Sequence, residues 1–263
     1  MTDIAVLLYG YPGMYGFGRY GMYFDPTYVL ILIGVVLSLI ASAKVKSTYA
    51  KYQRVESRSH MTGAMTADRL LKANGIYDVR IEHVSGNLTD HYVPIEVIQG
   101  RLTDHYDPSK KVLRLSDSVY GNSSVAAVSV AAHEVGHCIQ HSKNYAPLTI
   151  RSKLVPIANF GSQASWLFII AGLIFGSASW LVDFGIILFS LAVLFQIVTL
   201  PVEFNASRRA LATLSDNGIL YTEEVGMGRK VLRAAALTYV ASAATAILQL
   251  LRLVLLFGNR NRD

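Results

Sequence analysis

Residues 184–200, FGIILFSLAVLFQIVTL, form an apolar run without a charged side chain. A helix needs roughly 17 to 25 such residues to cross a bilayer, so this run predicts a transmembrane helix. Three more runs have the same character, at residues 28–43, 154–180 and 234–257. Only Leu181-Val182-Asp183 separates the second run in the chain from the third, which predicts a membrane hairpin over residues 154–200. The sequence therefore predicts about four transmembrane helices.

The composition supports a membrane protein. Of the 263 residues 52% are hydrophobic and only 16% are charged, against roughly 25% charged in an ordinary soluble domain. The net charge of +6 could suggest a nucleic-acid partner, but most basic residues lie beside the apolar runs, as topogenic charges do. The lipid bilayer is therefore an expected partner, and nucleic acid is not. Cys138 is the only cysteine, which excludes an internal disulfide and a metal site built from cysteines.

The basic residues also predict an orientation. They follow the first apolar run and flank the hairpin on both sides, so the positive-inside rule places residues 44–153 and 201–233 in the cytoplasm. The run 234–257 then leads outward to a tail at 258–263. Residues 1–27 are rich in glycine and tyrosine and predict an irregular arm at the membrane interface. The basic residues are Lys44, Lys46, Lys51, Arg54, Arg58, Arg151, Lys153, Arg208 and Arg209.

The predicted cytoplasmic part has the signals of a small α/β unit. Thr62 can cap a helix that runs to about Asn74, and Gly75 can end it. Strands are predicted at residues 79–84 and 111–115, and a helix is predicted from the cap at 122–124 to about His141. A tandem duplication lies between the strands, because residues 82–95 and 96–109 both contain Leu-Thr-Asp-His-Tyr. One repeated pair is too short for a solenoid, so two similar extended segments are expected.

The predicted helix 125–141 carries His133-Glu134-Val135-Gly136-His137. Residues four apart lie on one face of a helix, so His133 and His137 can present both imidazoles to one zinc ion. Glu134 then lies close enough to polarise a metal-bound water. A chance match to this HExxH pattern is expected on the order of once in a hundred such chains. The alternative is a pair of surface or core histidines without a metal.

A catalytic zinc site usually has three protein ligands, so a third must come from elsewhere in the chain. His141 lies roughly 12 Å from His133 along a straight helix, too far to share one ion. His91 and His105, in the two repeat copies, are candidates that nothing fixes near the helix. Glu203 is the better candidate, because it follows the run 184–200 on the cytoplasmic side, and a carboxylate beside an apolar run needs a partner. The alternative partner is Arg208 or Arg209.

At this point the chain resembles the YugP-like membrane zinc metallopeptidases, which are related to gluzincin peptidases with HExxH and a distant glutamate. The resemblance covers nearly the whole length. It is carried by residues 23–28, 46–52, 102–108, 114–116, 133–137, 200–204 and 235–241, with the sequences YFDPTY, KSTYAKY, LTDHYDP, RLS, HEVGH, LPVEF and AALTYVA.

The resemblance implies one zinc ion bound by His133, His137 and Glu203, with Glu134 as the general base. Two features depart from the family pattern. The duplication looks like an insertion, and Ser207 stands where related membrane gluzincins have an aspartate, with Asn205 nearby.

Together these observations predict a mainly α, multi-pass protein of the cell membrane with a small α/β zincin-like cytoplasmic domain. The expected activity is zinc-dependent endopeptidase action at the cytoplasmic membrane surface, on protein or peptide substrates that include membrane proteins. The strand 111–115 is expected to pair with an extended substrate by edge addition. The alternatives are an intramembrane protease and a zinc-stabilised scaffold that binds a partner without proteolysis. Oligomeric or regulatory partners are not identified by the sequence.

Overall fold

The computed structural model describes residues 25–85, 104–175 and 179–258. The described part is mostly helical, with one small sheet. In chain order its elements are α1 (Tyr28–Tyr52), α2 (Gly63–Ala73), β1 (Arg80–Val84), β2 (His105–Asp107), β3 (Val112–Ser116), α3 (Asp117–Tyr120), α4 (Val125–Ser142), α5 (Ala146–Ile174), α6 (Ser179–Asp216) and α7 (Thr222–Phe257).

Four helices, α1, α5, α6 and α7, are long and apolar enough to cross a membrane. This confirms the prediction of about four apolar helices. Their outward faces carry large hydrophobic side chains that no other part of the described chain covers, such as Leu32 (61% exposed), Phe160 (68%) and Leu167 (68%). Contiguous apolar surface on this scale is costly in water but not in lipid. The four helices are therefore the part of the chain that is suited to a bilayer.

The hairpin turn lies elsewhere than predicted. Leu181, Val182 and Asp183 are inside α6, so the predicted connection at these residues was wrong, and the two helices are instead joined between Ile174 and Ser179. Val182 is only 2% exposed. A Cβ at Gly172 of α5 would lie 2.6 Å from its Cγ2. Burial of Val182 against α5 thus favours a helical conformation at these residues, and Asp183 alone does not end the helix.

The long helices also extend beyond the predicted runs. Helix α6 continues through Pro201 to Asp216, and α7 already begins at Thr222. Residues 201–233 are therefore mostly helical extensions of the two apolar helices. Helix α1 likewise continues past the predicted run to Tyr52. Glu203 consequently lies within a continuous helix, which fixes its direction relative to the apolar run before it.

Helices α1 and α7 pack through small and polar residues. Thr245 donates a hydrogen bond to the Gly34 carbonyl at 3.2 Å, and its Oγ1 lies 3.4 Å from the Ser38 hydroxyl. Polar side chains of α7 and α1 thus meet where the two helices pack. Arg252 near the end of α7 contacts the residues just before α1, with Nη2 3.5 Å from the carboxylate of Asp25.

The small α/β unit contains a three-stranded sheet with the order β1-β3-β2. Strand β3 pairs with β1 in parallel and with β2 antiparallel. The expectation that the strand 111–115 offers a free edge to a substrate was therefore wrong. Leu113 and Leu115 of β3 are completely buried, which explains why β3 takes the central position. Among the described strands, β2 and β1 form the edges.

The predicted caps of α2 are present in the structure, and the second repeat copy forms part of the sheet. The Thr62 hydroxyl accepts a hydrogen bond from the Met65 amide at 3.3 Å, and Gly75 has a φ of +72° just after the helix, as a C-terminal glycine often does. The second copy contributes β2, and buried Asp104 accepts hydrogen bonds from the amide and hydroxyl of Ser116. Most of the first copy, including His91, lies outside the described residues, as do most of the arm 1–27 and of the tail 258–263.

Candidate metal centre

Helix α4 places His133 and His137 on one buried face. Ser124 caps the helix, since its hydroxyl accepts a hydrogen bond from the Ala127 amide at 3.2 Å. Small alanine and valine side chains then pack the first turns into the core. One turn apart, the two imidazole rings have centroids separated by 4.9 Å. Their side chains are 13% and 12% exposed, so both rings are largely removed from water.

Glu203 of α6 completes a group of three residues that could hold a metal ion. Its Oε2 lies 3.2 Å from Nε2 of His133 and 3.6 Å from Nε2 of His137. The three ligand atoms all lie within 4.8 Å of one another. The carboxylate is almost completely buried, at 3% side-chain exposure. The structure thus brings together the three residues that were predicted as ligands.

Gly136 allows α4 and α6 to approach closely enough for this arrangement. A Cβ at position 136 would lie only 2.6 Å from the Ala206 carbonyl oxygen, which is main chain. Ala206 is one turn beyond Glu203 on α6. The contact between the two helix backbones therefore sets the distance between the histidines and the glutamate.

The second nitrogen of each histidine ring has its own polar partner. Nδ1 of His133 lies 3.1 Å from the Ser207 hydroxyl, and Nδ1 of His137 lies 3.0 Å from Oε1 of Gln140. When Nδ1–H donates to these oxygens, the neutral ring keeps the lone pair of Nε2 for a metal. Gln140 is held in turn, because its Nε2 donates to the Val202 carbonyl at 2.8 Å and to Asn205 Oδ1 at 3.0 Å.

Arg151 of α5 contacts the side of Glu203 that faces away from the histidines. Its Nη1 lies 3.5 Å from Oε1, whereas Oε2 is the oxygen near both imidazoles. One carboxylate oxygen is thus available to a metal while the other is paired with a fixed cation. Two imidazole nitrogens and one carboxylate oxygen form a donor set that zinc uses in catalytic sites, so the residues present fit a zinc ion.

Glu134 lies beside the three potential ligands and is buried. Burial raises its pKa to about 8, while neighbouring His133 and a hydrogen bond from the Tyr106 main chain act in the opposite direction. A cation held by His133 and His137 would favour the carboxylate further, since a nearby opposite charge stabilises the ionised form. The predicted base on α4 thus contacts the main chain of the edge strand β2.

His141 and His105, the other two histidines considered that the structure describes, are not part of this group. Nδ1 of His141 lies 2.9 Å from the Tyr106 hydroxyl, and Nε2 of His105 lies 3.1 Å from Nη1 of Arg114. Glu203 pairs with Arg151 rather than with the predicted alternatives, since Arg209 donates to Asn205 at 2.7 Å. Gln140 and Arg151 also contact this group, although neither was predicted from the sequence to do so. Gln140 had a usable signal, because it follows His137 by three residues and lies on the same helix face.

The fold and the site define a protein with four apolar helices and a two-helix site that could hold a metal ion. The chain belongs to the family described as "Putative neutral zinc metallopeptidase", whose profile matches residues 27–97 and 93–258. The two matched stretches overlap inside the duplicated segment. The chain is also 46% identical over 230 residues to the "Putative membrane protease YugP" of Bacillus subtilis (strain 168), which covers 88% of this chain and 96% of that protein. No solved structure matches the chain.

Proposed function

We propose that this protein is a zinc-dependent endopeptidase of the gluzincin type, in which His133, His137 and Glu203 bind one zinc ion and Glu134 is the general base. The observation that carries the proposal is the convergence of two Nε2 atoms and one carboxylate oxygen within 4.8 Å, with Glu134 adjacent. Membership of a zinc metallopeptidase family supports the same reaction class.

When bound, zinc supplies a Lewis acid that lowers the pKa of a water molecule and polarises a peptide carbonyl. The residues of the chain provide the proton transfers and the positioning. Glu134 accepts a proton from the attacking water and returns it to the leaving amine. Ser207 and Gln140 hold the imidazole rings, and Arg151 holds the distal oxygen of Glu203. Burial of these groups limits the competition from bulk water.

Strand β2 is the candidate site for an extended substrate. Among the described strands it is an edge of the sheet, and its Tyr106 main chain contacts Glu134. A peptide that adds to such an edge forms main-chain hydrogen bonds that depend little on sequence. A substrate on β2 would thus lie next to the proposed base.

We further propose that the site is at the cytoplasmic surface of the cell membrane. Glu203 comes shortly after the uncharged run 184–200 within the same helix α6, so the metal centre is expected near the end of a membrane-spanning segment. The basic residues that flank the hairpin favour the cytoplasmic side for this end. Proteins and peptides at or in the membrane are then the accessible substrates. Helix α4 is not among the helices suited to crossing a bilayer, which argues against an intramembrane protease.

The remaining alternative is a zinc-stabilised scaffold that cleaves nothing, and a base substitution separates it from a peptidase. Wild-type protein and the Glu134→Gln variant are incubated with a peptide library made from a digested proteome, and new termini are identified by mass spectrometry. We expect both proteins to bind zinc and only the wild type to cleave, with a loss of at least about a hundredfold in the variant. Exposed Glu223 provides the matched control Glu223→Gln. Equal cleavage by wild type and Glu134→Gln would contradict the proposal.

A further inference from the structure

We propose that an anionic phospholipid binds in a groove between α1, α6 and α7, separate from the cleft of the metal centre. The groove has a volume of about 1380 Å³, larger than the roughly 300 to 1,000 Å³ of typical small-molecule sites. The proposal does not depend on peptidase activity, because it rests on the charge and apolar lining of this groove alone.

The groove is strongly basic. Six cationic side chains from three helices line it, against the single acidic residue Asp216. All six are exposed. Among the described residues, no carboxylate lies within 4.0 Å of any of them. Such unneutralised charge attracts an anion. The six residues are Lys44, Lys51, Arg208, Arg229, Lys230 and Arg233.

The same groove has an apolar part. Phe204, Leu237 and Val240 line it and are 44%, 44% and 39% exposed. A soluble anion such as free phosphate would contact only the cations and leave these side chains uncovered. A phosphodiester that carries acyl chains satisfies both parts of the groove. The combination therefore favours a lipid over a nucleic acid or an acidic peptide.

The position along each helix fits the boundary of a bilayer. Lys44 directly follows the apolar run 28–43, and Arg233 directly precedes the run 234–257. On α6 the first basic residue, Arg208, comes eight residues after the run 184–200 ends at Leu200. The basic residues that follow or precede the apolar runs of three helices thus line one groove, as expected near the phosphates of a membrane leaflet. Basic pockets of this kind between membrane helices recognise anionic headgroups.

The groove shares one residue with the surroundings of the metal centre. Ser207 lines the groove, and its hydroxyl also contacts Nδ1 of His133. Zinc content must therefore be measured together with lipid binding, so that loss of the lipid can be distinguished from collapse of the metal centre.

The test is lipid retention by the full chain. Purified, delipidated protein is incubated in detergent with dioleoyl-phosphatidylglycerol or dioleoyl-phosphatidylcholine, and bound lipid is counted by native mass spectrometry. Wild type is expected to retain the anionic phosphatidylglycerol in preference to the zwitterionic phosphatidylcholine. The triple variant Arg229→Gln, Lys230→Gln, Arg233→Gln should lose at least about tenfold in affinity, since each basic residue near an anionic surface adds to the attraction. The variant Leu237→Ser, Val240→Ser should also weaken retention, although it keeps all charges.

The matched control removes three exposed cations outside the groove, with Lys46→Gln, Arg54→Gln and Lys143→Gln, and should retain the lipid like wild type. Melting temperature and zinc content are recorded for every variant. Equal loss in the control would show that diffuse surface charge attracts the lipid and would overturn the proposal. Equal retention of both lipids by wild type would overturn it as well. Binding of glycerol 3-phosphate as tight as that of phosphatidylglycerol, with no effect of the Leu237 and Val240 changes, would instead indicate a soluble ligand.

Discussion

Gln140 links the two helices of the metal centre through polar contacts. It is fully buried, contacts Nδ1 of His137 and donates to the Val202 carbonyl and to Asn205. Leucine has a similar volume but can make none of these hydrogen bonds. We expect Gln140→Leu to lower zinc affinity by about 10- to 100-fold, as loss of a hydrogen-bond partner of a ligand histidine does. Competition with a chromophoric zinc chelator measures this change.

The same substitution should lower the free energy of unfolding by about 1 to 3 kcal/mol, because it removes the buried hydrogen bonds from Gln140 to the Val202 carbonyl and to Asn205. Gln53, exposed at the end of α1, provides the control Gln53→Leu, for which neither quantity should change by more than a surface substitution does. A Gln140→Leu protein with wild-type zinc affinity would show that the His137 ring needs no support from Gln140.

At the scale of secondary-structure elements, the contact between α4 and α6 sets the geometry of the site. Gly136→Ala would place a methyl group 2.6 Å from the Ala206 carbonyl oxygen, which a helix backbone can relieve only by moving. We expect weaker zinc binding and a destabilisation of about 1 to 3 kcal/mol from overpacking, measured by metal content and thermal unfolding. Gly226→Ala in α7 is the control, since nothing lies within 4 Å of its added Cβ.

In an exposed helical position like that of Gly226, alanine is favoured over glycine by up to about 1 kcal/mol, so the control should be neutral or slightly stabilising. If Gly136→Ala behaved in the same way, the close approach of α4 and α6 would not control the distance between Glu203 and the histidines.

Features that depend on local pattern could be predicted from the sequence, whereas features that depend on contacts between distant elements, apart from the approach of Glu203 to the histidines, could not. The apolar runs, the Thr62 and Ser124 caps and the spacing of His133 and His137 are local, and each could be predicted. The position of the hairpin turn could not be predicted, because Val182 packs against Gly172 of α5 and lies within α6. The central position of β3 and the contact of Arg151 with Glu203 likewise depend on which distant segments meet.

At the scale of the whole molecule, the candidate metal centre joins two parts with different solvents. His133 and His137 come from α4, which packs into the same hydrophobic core as the small sheet. Glu203 comes from a helix that continues directly from an apolar run suited to a bilayer. Binding a metal would therefore tie the α/β unit to the helical part, and its free energy would add to the stability of both.

The most direct test of the account is the zinc content of purified protein after dialysis against metal-free buffer, measured by inductively coupled plasma mass spectrometry. Wild type and the control variant Glu223→Ala, which changes an exposed carboxylate, should each retain one zinc ion per chain. Glu203→Ala should retain well under half of that amount, because two imidazoles alone bind zinc much more weakly than three ligands do. A Glu203→Ala protein that keeps one zinc ion per chain would contradict the assignment of Glu203 as the ligand that α6 supplies.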